Sequence, residues 1–230
     1  MSLFSKDNWE FPIEYDKDCH FYEEYLILDG KKYQYNELSI INFKEKSKYV
    51  NGVKITNDIK MLLAFSNLDY MPYPFPSDGK GFTGFAGFNF ENGLIPTGSK
   101  QGRVLKYMNL YLQKKTFSDR YLRHINSLKR LGKFTFSEGY YVFCDNGNIM
   151  LNDEILGNFK KMYDQGKIFD GSKYGGYKNK IVDPYIYGFE KGTKFFGLIS
   201  DKVSFENISN KDVMEILFDN LYKTGKMSGL

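Results

Sequence analysis

Apolar and polar positions along this 230-residue chain fall into two recurring shapes. The first is an apolar or alternating run, an Asp-Gly or Asp-Asn-Gly turn, and a second run. It occurs at YLILDGKKYQYNELSIINFK, from Tyr25, and again at YVFCDNGNIMLNDEILGNFK, from Tyr141. Asp and Asn tolerate left-handed backbone and Gly adopts it without steric cost, so each copy predicts a β-hairpin with its tip near Gly30 or Gly147. The second shape is a strand-like piece that passes through Thr or Ser plus Phe into an amphipathic helix ending at Gly. It occurs at LYLQKKTFSDRYLRHINSLKRLGK, from Leu110, and at LISDKVSFENISNKDVMEILFDNLYKTGK, from Leu198. Ser118 suits the N-cap of the earlier helix and Ser209 or Asn210 that of the later one, while Gly132 and Gly225 stand where a C-terminal cap wants φ > 0. Val213, Ile216, Leu217 and Leu221 recur at steps of three and four, a core-facing stripe. Glu154 to Gln165 reads as a further helix.

Set in register without a gap, the two hairpin stretches share six identities in twenty: Tyr25 with Tyr141, Asp29 with Asp145, Asn36 with Asn152, Asn42 with Asn158, Phe43 with Phe159 and Lys44 with Lys160. Together with the paired helices, this predicts an antiparallel α+β protein made by tandem duplication. It has two related halves, each a small sheet closed by a C-terminal helix. The boundaries follow as an N-terminal arm over 1–18, a first module over 19–133 and a second over 134–230. Small bent antiparallel sheets each followed by one capping helix, with fragments such as YLILDGKKYQYNELSIINF, resemble the pleckstrin-homology-like fold. The resemblance rests on element order and carries no diagnostic motif. It implies a job of binding peptides, phosphoinositides or partner domains without catalysis, by analogy of fold alone.

Three stretches offer binding surfaces. All four arginines, Arg103, Arg120, Arg123 and Arg130, lie within 28 consecutive residues, while the lysines are spread along the chain. On a helix from Ser118 to Leu131, Tyr121, Leu122, Ile125 and Leu128 share one arc and Arg120, Arg123 and Arg130 the opposite one, which is expected to face water or an anionic partner. The second stretch, MPYPFPSDGKGFTGFAGFNFENG, covers 71–93. Its prolines deny it a helix, and its Gly-Phe triplets predict a long loop bearing Phe82, Phe85, Phe88 and Phe90. That loop either folds back on its own domain or acts as a protein-binding finger whose removal from Gly79 to Gly93 would spare the fold. The third interleaves Tyr174 and Tyr177 with Lys178 and Lys180, a mixture suited to stacking on bases and pairing with phosphates, or equally to the solvent face of an amphipathic sheet.

Composition narrows the chemistry. A net charge of +4 permits an anionic partner without demanding one. No run of apolar residues is long enough to cross a membrane as a helix, and the start has no apolar signal stretch. Cys19 and Cys144 are too few for a disulfide framework, which suits a cytoplasmic location. The two histidines, His20 and His124, form no zinc-binding spacing with the cysteines, and Cys144 sits in an apolar run that disfavours its thiolate. SDGKGFTG lacks the phosphate-cradling P-loop pattern, and Asp183 with Glu190 lacks the lysine that metal-dependent nuclease chemistry needs. No cofactor, metal or catalytic residue is expected. The reading is a non-enzymatic binding or adaptor protein for a protein or other anionic partner. Its alternatives are a nucleic-acid-associated protein using the Arg-bearing helix and the Tyr/Lys segment, and a hydrolase with an unrecognised site.

Overall fold

A computed structural model describes residues 10–50, 53–72, 81–88, 95–96, 98–137, 141–151, 153–164, 168–170, 187–191, 201–204 and 208–224. Its first sheet is a meander in which β1 (Ile13–Asp16), β2 (Cys19–Phe21), β3 (Tyr25–Leu28) and β4 (Lys31–Gln34) lie in chain order. The hairpin expected around Gly30 is present. Asp29 and Gly30 hold φ of 52° and 73°, the pair of positive values that a two-residue turn between twisted strands requires. The arm expected over 1–18 contributes β1 to this sheet, because Ile13 has an apolar core to enter and is 5% exposed.

A 3-10 turn at Tyr35–Glu37 leads into the long hairpin of β5 (Leu38–Val50) and β6 (Val53–Phe65), joined by β7 (Gly84–Phe88) and by the short β8 (Ile95–Pro96), both on β6. Next come α1 (Lys100–Leu131) and a second four-stranded meander of β9 (Lys133–Ser137), β10 (Tyr141–Cys144), β11 (Asn148–Leu151) and β12 (Glu154–Asn158). After it lie α2 (Phe159–Asp164), a three-stranded sheet of β13 (Ile168–Asp170), β14 (Tyr187–Lys191) and β15 (Asp201–Ser204), and α3 (Lys211–Thr224). Every pairing among the described strands is antiparallel, so the class is α+β. The second hairpin turns at Gly147, whose φ is 82°. It pairs Phe143 with Ile149 across a longer turn, whereas the first pairs Leu28 with Lys31. The gapless register between the two stretches therefore slips by one residue after the turn. The helix expected from Glu154 to Gln165 is instead strand β12 followed by the single-turn α2, because 154–158 complete the meander against β11.

Near Leu38 and Phe65 the β5–β6–β7 sheet feeds a core on each face, and a bulge in β5 between Leu38 and Ile40 sets which residue looks where. Leu38, Ile41, Met61, Leu63, Ala86 and Phe88 enter one core with Cys19, Phe21 and Leu26 of the first meander. Ile40 and Ala64 enter the other, built with Phe134, Phe143 and Ile149 of the second meander and with Met214, Leu217 and Phe218 of α3. The boundary drawn at Lys133 thus falls between elements that share a core, since Ile40, Ala64, Met71, Ile125 and Leu128 all pack with residues beyond it.

The long helix α1 serves both cores. Val104, Leu105, Met108 and Leu112 pack into the first, and Ile125 and Leu128 into the second. At 3.6 residues per turn these two sets lie roughly 140° apart around the axis. A sequence serving two cores shows no single apolar stripe, so its first half does not announce itself. Ser118 is therefore in mid-helix and is not a cap. The cap is Ser99, whose hydroxyl accepts from Gly102 N at 3.0 Å, and Gly132 closes the other end with φ of 66°.

Candidate functional site

The structure turns the expected arginine arc inward. Arg120 is 0% exposed and all five of its N–H donors are used. Nε donates to Thr116 Oγ1 at 2.9 Å. Nη1 donates to Asn210 Oδ1 at 3.2 Å and Asp212 Oδ1 at 2.8 Å, and Nη2 to Gln113 O at 2.9 Å and Asp212 Oδ2 at 2.6 Å. A guanidinium left in the interior is tolerable only with a bidentate carboxylate and a full set of acceptors. Arg123 is also buried and donates to Asn36 O at 3.0 Å; burial pulls its pKa down while Asp119, Asp69 and Glu37 oppose that shift. Arg130 pairs with Asp69 at the surface and lies over the Tyr70 ring, and exposed Arg103 donates to Gly98 O. Leu122, expected on the core side, is 55% exposed. The arc is reversed because Arg120 and Arg123 have polar partners waiting inside, from the Asn36 carbonyl in the 3-10 turn to Asn210 and Asp212 at the start of α3.

Asn210 is the centre of that interior. Its φ is 51°, which Asn tolerates better than other residues with a β-carbon. Its backbone N donates to Ile41 O at 2.8 Å and its Oδ1 accepts from Ile41 N at 2.8 Å, so one residue closes the outer edge of β5 as a strand would. Nδ2 donates to Ser39 O at 2.8 Å and meets His124 Nε2 at 3.1 Å. With Oδ1 taken by two donors, both Nδ2 hydrogens are committed. His124 Nε2 is therefore the acceptor and its proton sits on Nδ1, a buried atom without a hydrogen-bond partner. Burial, with Arg120 adding repulsion, lowers the His124 pKa to about 3. Neither Ser209 nor Asn210 works here as a simple side-chain cap. Asn210 caps α3 with its carbonyl, which accepts from Val213 N and Met214 N, and spends its side chain on tying α1, α3 and β5 together.

The Gly/Phe stretch is a strand in part. Residues 84–88 are β7, with Phe85 opposite Ala64 and Phe88 opposite Met61. Alternation sends Phe88 into the core at 3% exposure and leaves Phe85 at 38%, while Phe82 packs against the second core. Deleting Gly79 to Gly93 would remove the third strand of a sheet, so the fold would not be spared. Phe90, Tyr174, Tyr177, Lys178 and Lys180 lie outside the described residues, as do Asp183 and Gly225.

No reactive constellation forms among the described residues, and no group of three or more His, Cys, Asp and Glu is placed to hold a metal. Cys19 is buried, and desolvation with Asp16 and Asp29 pushes its thiol up to about 12. Cys144 donates to Met150 Sδ at 3.2 Å, and desolvation with Asp145 raises its pKa too. These shifts suppress thiolates.

Among the described residues, a groove of about 270 Å³ opens on the β5–β6–β7 sheet, lined by Asn42, Lys44, Lys60, Met61, Leu62, Gly87 and Phe88. Its geometry follows from register. Asn42 lies opposite Leu62, which lies opposite Gly87, and Lys44 lies directly opposite Lys60. These residues continue the row that begins with Ile40 and Ala64, so the groove opens where the second core stops covering the sheet. Asn42 is 4% exposed at its inner end, Lys44 is half-buried and Lys60 exposed at its mouth. Sequence reasoning passed over both lysines because each ends an apolar run, IINFK and DIKMLL read outward, where a solubilising charge is unremarkable. The available signal was their pairing in register within a long hairpin.

No protein family, no curated protein and no solved structure matches this chain. No helix among the described residues is long and apolar enough to cross a membrane.

Proposed function

We propose that this chain is a non-enzymatic binding protein for an anionic partner, and that the surface doing the work is the groove between Lys44 and Lys60 rather than the arginine-bearing helix. The carrying observation is that Lys44 and Lys60 share one register position and line the groove, whereas Arg120 and Arg123 are buried in the interior. Thiols raised in pKa and a neutral buried histidine support the non-catalytic side of the reading.

The finer architectural reading also belongs here. Each four-stranded meander carries one of the two similar hairpins, β3–β4 and β10–β11, whose first strands begin at Tyr25 and Tyr141, although they are strands three and four of the first sheet and two and three of the second; this similarity is the support for descent from one duplicated sheet-plus-helix unit of pleckstrin-homology-like order. The one-residue slip at the turns is the kind of difference that accumulates at loop tips. Two unpaired thiols suit a reducing, cytoplasmic setting.

Fluorescence anisotropy of a labelled acidic peptide tests the binding reading. Charge pairing in the groove predicts that affinity weakens as salt rises from 50 to 200 mM, and that Lys44→Glu with Lys60→Glu abolishes binding. A labelled single-stranded oligonucleotide losing about a thousandfold or more over the same range, with the lysine variants unaffected, would instead favour a nucleic-acid surface elsewhere.

A further inference from the structure

We infer that His124 makes the junction of α1, β5 and α3 an acid-released latch: as pH falls, the second core opens, with α3 and the second meander, while the first meander and its core stay closed. This stands apart from the anion-binding reading. His124 is 1% exposed on α1, with its ring edge against Phe134 of β9 at 4.7 Å. Its Nε2 accepts from Asn210 Nδ2 at 3.1 Å, and Nδ1 has no partner, so one hydrogen bond fixes the ring. A proton added at Nε2 would set one N–H against another. The Asn210 amide cannot turn over to offer its oxygen, because Oδ1 already accepts from Ile41 N and Arg120 Nη1 while Nδ2 also donates to Ser39 O. Among the described residues, the groups around the ring give a new positive charge no partner. Arg120, one turn earlier on α1, is itself positive, Asp212 of α3 spends both carboxylate oxygens on that arginine, and β9 and β5 present Phe134 and Ser39. The proton is therefore taken up by letting Asn210 go. That undoes more than one bond. Residues 209 and 210 close two strand edges at once, Ser209 N donating to Phe136 O on β9 and Asn210 N to Ile41 O on β5, and the Asn210 carbonyl starts α3. Beyond it, Val213, Leu217 and Phe218 pack with Phe134 and Phe143 of the second meander, and none of these contributes to the first core. That division lets one cooperative unit open ahead of the rest.

Hydrogen–deuterium exchange of the full chain, corrected for the intrinsic pH dependence of exchange and read by mass spectrometry, tests it. His124 titrates at about 3 when closed and near 6.5 when exposed, so the open state binds more protons and gains about a hundredfold between pH 7.5 and 4.5. Over that range the amides of 141–151 and 211–224 should lose about a hundredfold in protection, and at pH 4.5 those of 13–34 should remain the better protected. His124→Gln, a neutral side chain that still offers Asn210 an acceptor, should lose at least about tenfold less in 141–151 and 211–224. Nitrogen-15 shifts of the His124 ring in the unaltered chain give a second readout: above pH 4.5, Nε2 should stay unprotonated for as long as α3 is protected. Equal loss of protection in both meanders, down to the same level, would overturn the latch and leave ordinary acid unfolding. So would a His124→Gln chain that opens as the unaltered one does, or a His124 ring that takes its second proton above pH 4.5 with α3 still closed.

Discussion

Replacing Asp212 with Ala should damage this protein more than replacing Arg120 with Met, although the two substitutions break the same ion pair. The reason is where each charge is left. Arg120 is completely buried, whereas the Asp212 side chain is 21% exposed. Losing Asp212 strands a guanidinium that has no route to water and keeps only Thr116, Asn210 and Gln113 as acceptors. Breaking a buried pair in this way costs about 3–5 kcal/mol. Losing Arg120 to an apolar side chain of similar length leaves a carboxylate that can turn to solvent. Thr116 Oγ1 still donates to Leu112 O, and Asn210 Oδ1 still holds Ile41 N, so the cost falls to about 1–3 kcal/mol. The double variant, Arg120→Met with Asp212→Leu, should be more stable than Asp212→Ala alone. Urea unfolding followed by far-UV circular dichroism measures all three. Equal costs for the two single variants, or a double variant as unstable as their sum, would refute the claim that the penalty is a stranded charge.

Other consequences follow from the same interior. His124 binds its proton far less readily in the fold, at about 3, than in the unfolded chain near 6.5, so the unfolded state is the proton-richer one between these values. Its contribution is fully present above about pH 6.5 and is lost as pH falls towards 3, up to roughly 5 kcal/mol at 1.36 kcal/mol per unit. His124→Gln should flatten the stability profile between pH 4 and 6.5, and an unchanged slope would exclude His124 as its source. Asn210→Ala removes four side-chain hydrogen bonds and keeps a left-handed backbone, so it should cost at least about 3 kcal/mol by denaturant titration, with Asn210→Gly no better than partly restored. Two glycines separate backbone strain from crowding. A β-carbon at Gly30 meets nothing within 4 Å, so Gly30→Ala should cost only about 1 kcal/mol for its φ of 73°, whereas at Gly84 it would lie 2.5 Å from the Tyr33 ring and should cost clearly more.

Local chemistry was legible wherever a residue's own backbone preference decided the outcome. Asp29-Gly30 and Gly147 marked both hairpin tips, Gly132 marked the end of α1, and Val213, Leu217 and Leu221 marked the inner face of α3, with Ile216 at 42% exposure just beyond it. What was not legible depended on partners far away in the chain. The inward turn of Arg120 requires Asn210 and Asp212, some ninety positions later, and nothing in the helix alone distinguishes it from a solvated arginine. The first half of α1 was hidden because its buried side rotates from one core to the other. β7 was hidden because Gly-Phe triplets read as a loop unless β6 is there to receive them. The groove itself needed the β5–β6 register, which places Lys44 on Lys60 and no shorter-range pattern specifies.

The most direct test of where this protein meets its partner is amide chemical-shift mapping with an anionic probe, the acidic peptide, on the isotope-labelled chain. The account predicts saturable shifts concentrated at Lys44, Lys60, Leu62 and Gly87, with Arg120 and Arg123 unmoved. Shifts gathered instead along the solvent side of α1, with the groove silent, would contradict it.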